Sequence, residues 1–364
     1  MISSWKWRRA TRHAGKNRDT KKSISESIPT PRMPVISSFE ESEILAGVAA
    51  ARRRGDGEGC LELVAKIKAL VKESERNRRS MVAKGTGSAL SETFEAFSEG
   101  SFDRNNVVLE EILSALTLMF PLDEEAKSRL SSSASLDCIV RLLTLGDLSA
   151  RRNGLLVLRE IVSSNQQKIE ALAEVEGTTE ALLKSIKNPI CPATTKTSLM
   201  IIYYMVSSLS PSRSTIDIRA RFVEMGMVSL LLEMLVDAER STCERALGIL
   251  DGLCSYDKGS KEAYHHAMTM PVLVKKILRV SDLATEFSVS ILWKLIKVEE
   301  REKGGVLFEA LEVGAFQKLL LLLQVGCGEK TKEKACDLLK LLNLHRDRLE
   351  CIDSMDFKGL KRTF

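Results

Sequence analysis

Aliphatic residues recur along the chain at the third, fourth and seventh positions after a reference residue, which is the spacing that one face of an α-helix buries. The reference residues lie 42 to 48 positions apart and are Leu109, Gly154, Ser198, Ala246, Ser288 and Ala335. An offset of this length that recurs so regularly predicts a repeated helical unit rather than a set of unrelated helices.

A second apolar helix precedes each of the last five of these stripes at a constant distance. Its centre is an adjacent aliphatic pair whose first member lies 15 or 16 positions before the reference residue: Ile139/Val140, Leu182/Leu183, Leu231/Leu232, Leu273/Val274 and Leu319/Leu320. Gly177, Gly226 and Gly314 stand where a short preceding helix should end, because glycine readily adopts the left-handed conformation. The run from Ser241 to Glu244 has the form of a capping box and predicts a helix start before Ala246.

Three helices in about 42 residues is the period of armadillo repeats, which residues 85–345 resemble. Small reference residues at five of the six positions would let neighbouring helices approach closely. We therefore expect an all-α, armadillo-type α-solenoid, which is a right-handed superhelix of about six three-helix repeats over residues 85–345. Residues 39–84 predict an amphipathic helix pair that caps the array.

The N-terminal segment differs in charge from the rest of the chain. Residues 1–22 hold eight Lys or Arg residues and one Asp, whereas the whole chain has a net charge of +5. Such a charge block is typical of a disordered tail, which we expect over residues 1–27, with a nuclear-localisation or RNA-contacting arm as the alternative. The remaining chain is nearly neutral, which argues against nucleic acid as a partner. Residues 28–38 contain three prolines and predict a stiff linker, and residues 346–364 form a C-terminal tail.

The residue types that carry chemistry show no catalytic or metal-binding pattern. The eight cysteines lack the short paired spacing of zinc sites and are typical of reduced intracellular thiols, with Cys254 and Cys336 as small buried hydrophobic residues. The residues nearest to a metal-binding set are too widely spaced: Cys327, Cys336, His345 and Cys351. No run of 18 apolar residues predicts a membrane span. We expect no catalytic residue, no metal and no cofactor.

The third helices of an armadillo array line a concave groove, and positions five and six after the reference residue should face it. Exposed Tyr, Trp and Arg side chains are the types that contribute most to interface energy. We expect the partner-binding residues to be Arg159, Tyr203, Tyr204, Asp251, Trp293, Lys294 and Lys340. The alternative for the aromatic residues is packing at the edge of the core. The sixth positions hold no asparagine ladder, which argues against an importin-like peptide receptor.

The segment "IPTPRMPV" (residues 28–35), followed by "FEESEIL" and then by the repeats, resembles the plant U-box/armadillo family of ubiquitin ligases. "VLREIVSSN" and "ALGILDGLC" also resemble that family. The resemblance implies a module that recruits substrate proteins through its groove for ubiquitination, in the cytoplasm and also in the nucleus. The U-box of that family recruits a ubiquitin-conjugating enzyme.

Only 27 residues precede Ile28, and they are basic and polar, so we expect no U-box core among them. We assign no conjugating-enzyme site to any residue, and such an enzyme is expected as a partner only if the full-length protein has a U-box. Whether the chain belongs to an active ligase is left open. The alternative is an armadillo scaffold or competitor without ligase activity of its own.

Overall fold

The structure is a computed structural model, and it describes residues 37–163, 165–207, 213–302 and 305–346. Helix is the only regular secondary structure in these ranges. The predicted tail of residues 1–27, most of the predicted linker and residues 347–364 lie outside the described residues. The complete set of predicted domain boundaries is not tested by these ranges, so the boundaries remain predictions.

The described chain divides into two compact units. The first comprises residues up to Leu142 together with Leu156–Asn165, and the second comprises Leu143–Leu155 together with residues from Gln166 onward. The helices of the first unit are α1 (Ser38–Arg54), α2 (Gly57–Glu73), α3 (Glu75–Ala83), α4 (Thr86–Ser98), α5 (Phe102–Leu116) and α6 (Glu124–Leu130). The boundary between the units falls within α7 (Ser133–Leu145) and α8 (Leu148–Val162).

The second unit continues the three-helix order to the end of the described residues. Its helices are α9 (Gln166–Glu174), α10 (Thr178–Lys187), α11 (Pro192–Val206), α12 (Arg213–Glu224), α13 (Met227–Asp237), α14 (Arg240–Leu253), α15 (Asp257–His265), α16 (Thr269–Lys276), α17 (Asp282–Glu302), α18 (Val306–Glu312), α19 (Ala315–Val325) and α20 (Glu329–Arg346). The third helices pack in series, α11 on α14, α14 on α17 and α17 on α20. This series forms the spine of the second unit.

The predicted stripes form the core. All six reference residues and 17 of the 18 aliphatic stripe positions are buried, and only Leu339 is half-buried. The second-helix pairs are also buried except for Leu320, which is 42% exposed. Leu320 lies in α19, after which the described residues contain no further unit of this type. The periodic pattern therefore correctly identified the residues that pack between helices.

The turns agree with the sequence at the glycines and differ from it at one helix start. Gly177, Gly226 and Gly314 have φ values of 80°, 76° and 82°, so the left-handed turns are confirmed. The predicted capping box is wrong, because α14 already begins at Arg240, with Glu239 as its N-cap. Instead of capping the backbone, the Ser241 hydroxyl donates to the Glu239 carboxylate at 2.9 Å.

The N-terminal region contains three helices, α1 to α3, rather than the predicted pair. The turn between α1 and α2 uses Gly55 with φ 64°, and the Asp56 carboxylate caps α2 by accepting a hydrogen bond from the Gly59 N–H at 2.9 Å. The buried side of α1 contains Ile44 and Val48, and this helix packs on both α2 and α4. Within the described residues, no helix combines the length and the apolar character needed to cross a membrane.

The seven cysteines within the described residues are free thiols. Burial raises the pKa of Cys254 to about 12 and the pKa of Cys60 to about 11. Cys336 is half-buried, so the expectation that it is a buried hydrophobic residue is wrong. Cys191 precedes α11, and its pKa is lowered because the backbone N–H of Thr194 stabilises the thiolate by hydrogen bonding.

We expect Gly248→Ala to destabilise the protein by about 1–3 kcal/mol, because the added Cβ overpacks a rigid aromatic contact. A Cβ at this position would lie 2.7 Å from Tyr203 Cε2 and 3.1 Å from Phe287 Cε2. The free energy of unfolding in urea measures the effect. Gly328→Ala is the matched control, because nothing lies within 4 Å of its added Cβ. An equal effect of both substitutions would contradict this account of the packing.

We expect Cys191 to react with iodoacetamide at pH 7.5 well before Cys60 and Cys254. A lowered pKa leaves a larger thiolate fraction at this pH, whereas the raised pKa values of the buried thiols leave almost none. Peptide mapping by mass spectrometry after timed alkylation measures the order. In denaturant the three thiols should react at similar rates, and a persistent difference there would show that the folded environment is not its cause.

Candidate functional site

The third helices of the second unit, together with Arg219 of α12 and Ser255 just after α14, carry a group of polar and aromatic side chains that are not part of the buried stripes. We name this group the third-helix surface and define it by Tyr204, Arg219, Asp251, Ser255, Ser290, Trp293, Lys294 and Lys334. The buried reference residues determine which side of each helix faces the core, and four of the fifth and sixth positions remain partly exposed: Tyr204, Asp251, Trp293 and Lys294.

Lys294 connects two neighbouring third helices. Its ammonium group lies 2.6 Å from Asp251 Oδ1, 2.6 Å from the Asp251 carbonyl oxygen and 2.9 Å from Ser255 Oγ. An ammonium group has three N–H donors, so these three acceptors can satisfy all of them. Lys294 therefore ties α17 to the C-terminal end of α14 and holds the Asp251 carboxylate in one place.

Trp293 and Lys334 connect the next pair of third helices. Lys334 Nζ lies 5.6 Å from the centroid of the Trp293 ring, within cation–π range, and donates to Ser290 Oγ at 2.7 Å. Burial lowers the pKa of Lys334, and the nearby Asp251 carboxylate opposes that change. The Trp293 side chain is half-buried, so part of an aromatic ring remains accessible next to a cation.

Arg219 lies at the α11 end of the third-helix surface. Its guanidinium group donates two hydrogen bonds to the Val206 carbonyl oxygen, at 3.0 and 2.6 Å, and so satisfies the last turn of α11. Burial lowers the pKa of Arg219, and Asp251 again opposes the change. Asp251 is therefore the carboxylate that acts electrostatically on Arg219, Lys294 and Lys334.

The two tyrosines of α11 have different environments. Tyr203 is only 7% exposed, and its ring packs 6.2 Å, centroid to centroid, from the ring of Phe287. The expectation that Tyr203 is exposed in the groove is wrong, because Gly248 leaves a space that this ring fills. Tyr204 is half-buried, with its ring centroid 5.9 Å from that of Tyr203, and remains on the surface.

The other predicted binding residues lie apart from this group. Arg159 is half-buried and belongs to the first unit. Lys340 is exposed, and its nearest acidic partner is Asp337 of the same helix, at 3.6 Å. For all seven predicted residues, a role in binding a partner stays a prediction.

Position within the repeat does not reveal four members of the surface: Arg219, Ser255, Ser290 and Lys334. Lys334 immediately precedes the reference residue Ala335, so the fifth-and-sixth-position rule misses it. Its long side chain reaches a residue 44 positions earlier, Ser290, and Lys294 reaches back 43 positions to Asp251. These separations equal about one repeat. A search for polar residues one repeat apart could therefore have identified Lys334, Ser255 and Ser290 from the sequence.

The arrangement is suited to binding rather than to bond-making chemistry. Among the described residues, no group of three or more His, Cys, Asp or Glu residues could hold a metal ion. The Lys294 ammonium is engaged by three acceptors, so it does not present a free amine to a substrate. Partly exposed Tyr and Trp rings beside fixed charges are instead typical of protein-binding surfaces.

Comparison with known proteins gives relatives over almost the whole chain. U-box domain-containing protein 21 of Arabidopsis thaliana is 41% identical over 343 residues, which is 94% of this chain and 76% of that protein. U-box domain-containing protein 20 of the same plant is 39% identical, over 93% of this chain and 75% of that protein.

A solved structure shares the fold. A designed armadillo repeat protein in complex with the peptide (KR)4 superposes with a TM-score of 0.52 at 18% sequence identity, over 69% of this chain and 99% of that chain. This likeness and the helical structure confirm the predicted all-α, armadillo-type fold. Residues 40–362 match the family model described as the plant U-box protein ARM repeat region. The chain therefore belongs to the plant U-box protein family, whose ARM repeat region makes up most of its length.

Proposed function

We propose that the third-helix surface binds a segment of a substrate protein and thereby recruits that protein for ubiquitination. Membership of a family of U-box proteins supports the ubiquitination step, since two Arabidopsis thaliana relatives, 28% and 27% identical to this chain, are named E3 ubiquitin-protein ligases. The observation that carries the binding step is the row of Tyr204, Asp251, Trp293 and Lys334 across successive third helices. This module would act in the cytoplasm and the nucleus.

The surface offers both apolar contact and directional polar contact. Tyr and Trp rings supply large contact areas at low entropic cost. Asp251 adds a carboxylate that is already held by Lys294, so less ordering is required when a partner binds. The designed armadillo protein in complex with a peptide supports the idea that this fold can accommodate an extended segment, which we extend to this chain as part of the proposal.

We expect Trp293→Ala to weaken binding of the recruited protein by about 2 kcal/mol, because a half-buried tryptophan at the centre of a contact surface is the residue type that dominates interface energy. The experiment first identifies partners by crosslinking to the wild-type protein. It then measures the Kd of one purified partner for both forms by isothermal titration calorimetry. Circular dichroism should show unchanged helix content.

Phe39→Ala is the matched control for that substitution, because Phe39 is an aromatic residue that is 79% exposed on α1. Partners lost on Trp293→Ala should also lose ubiquitin modification in plant cells that express this variant in place of the wild type. If binding is lost and the modification is unchanged, the surface does not recruit substrates. If both substitutions weaken binding equally, the third-helix surface is not the contact.

We expect Lys294→Met to destabilise the protein by about 2 kcal/mol, because it leaves the largely buried Asp251 carboxylate without its main partner. The two side chains are 19% and 22% exposed. Chemical unfolding measures the effect, and Asp251→Asn combined with Lys294→Met should be less destabilised than the sum of the single variants. Lys340→Met serves as the control, since its exposed pair should contribute little. Additive effects would contradict the proposed pairing.

A further inference from the structure

The second unit contains a basic pocket that does not include any residue of the third-helix surface. It has a volume of about 330 Å³ and lies between the turn from α13 to α14 and the turn from α16 to α17. Four of its lining residues are basic: Arg240, Lys275, Lys276 and Arg279. Asp237 is the one acidic lining residue. The residues that line the pocket therefore carry a net positive charge.

Lys276 is the unusual member of this group. It is the last residue of α16 and only 6% exposed, yet its side chain forms no hydrogen bond and no ion pair with any described residue. Other lysines with largely buried side chains, Lys68 and Lys294, each pair with a carboxylate at 2.6–2.7 Å. The Lys276 Nζ is not among the fully buried side-chain atoms that lack a partner, so the stem is buried while the ammonium group faces the pocket, where an anion can pair with it.

The acidic groups near the pocket neutralise only part of its positive charge. Glu244 accepts from Arg240 Nε at 3.3 Å, and Glu239 pairs with Lys196 at 2.5 Å. Asp237 is exposed at the rim. The buried thiol of Cys243 also senses these charges: burial raises its pKa, the Lys276 charge partly opposes that effect, and the Glu244 charge adds to it. The carboxylates near the pocket thus leave its cations with a net positive charge.

The turn that carries Arg279 has a strained and well-defined backbone. Leu278 has φ 59°, which is uncommon for a residue with a branched side chain. The buried Thr285 hydroxyl accepts a hydrogen bond from the Leu278 N–H at 3.0 Å and donates to the Ser281 carbonyl oxygen at 2.9 Å. These bonds hold the backbone between Lys276 and Arg279 in place before any ligand arrives.

We propose that this pocket binds a phosphate-bearing anion. A phosphoryl group carries up to two negative charges and three acceptor oxygens, which matches several cations better than a single carboxylate does. Guanidinium groups such as those of Arg240 and Arg279 bind phosphate oxygens in a forked geometry, and Lys276 supplies a point charge. The phosphoryl group can belong to a small soluble phosphate or to a phosphorylated side chain of a protein.

The test uses the full chain with inorganic pyrophosphate in one arm and a phosphoserine peptide in the other, with the unphosphorylated peptide as the blank. Binding to the native state should raise the melting temperature with increasing concentration of at least one phosphate ligand. Isothermal titration calorimetry gives the Kd in each arm, and the tighter arm identifies the source of the phosphoryl group. No binding of either phosphate ligand at millimolar concentration would overturn the proposal.

Lys276→Met should weaken phosphate binding about tenfold or more, since a charge-assisted contact is lost. Without ligand, this variant should melt at about the same temperature as the wild type, because Lys276 forms no ion pair with a described residue that the substitution would break. Lys187→Met is the matched control, since Lys187 is the last residue of α10 and is exposed. Equal losses of affinity in both variants would show a general charge effect and overturn the assignment.

A second variant tests the pocket without changing a buried residue. Lys275→Gln combined with Arg279→Gln changes two exposed residues, so the fold should be unaffected. This double variant should weaken phosphate binding and reduce its dependence on salt concentration. If this double variant and Lys276→Met both bind phosphate with the affinity of the wild type, the pocket is not the phosphate site.

Discussion

Burial of one aliphatic stripe per third helix between its neighbours is the interaction on which the rest of the structure depends. Each fully buried aliphatic side chain contributes roughly 1.5–3 kcal/mol of hydrophobic stabilisation, and the stripes repeat this contribution in every unit. Small residues allow the helices to approach closely. At Gly248, for example, the Tyr203 ring occupies the place that a side chain would otherwise take.

This stacking also explains why side chains from different repeats meet. Equivalent positions of adjacent third helices lie side by side, so residues about one period apart in sequence can form hydrogen bonds. The pairs Lys68–Glu111, Lys294–Asp251 and Lys334–Ser290 are separated by 43, 43 and 44 positions, respectively. In a repeat protein, the core thereby sets the register of polar contacts on its surface.

The second unit carries two proposed binding features of different chemistry. The third-helix surface combines accessible aromatic rings with charges that are largely paired, which suits a protein segment. The pocket around Lys276 combines four cations with one rim carboxylate, which suits a compact anion. The two features share no residue: the pocket lies at the turns that precede α14 and α17, whereas Asp251 of the third-helix surface lies near the opposite end of α14 from Arg240.

The sequence by itself determined the helical periodicity, the repeat length, the buried stripes and the left-handed glycine turns, because each depends on local spacing or on the backbone freedom of one residue. It could not determine which non-stripe residues remain accessible. Tyr203 sits at a groove position but is buried, because Gly248 and Phe287, which lie 45 and 84 residues further along the chain, form the space that holds its ring. Only the tertiary structure showed that Asp251 engages Lys294 and that Lys276 lies at the wall of a basic pocket, because both facts depend on which side chains the packing brings together.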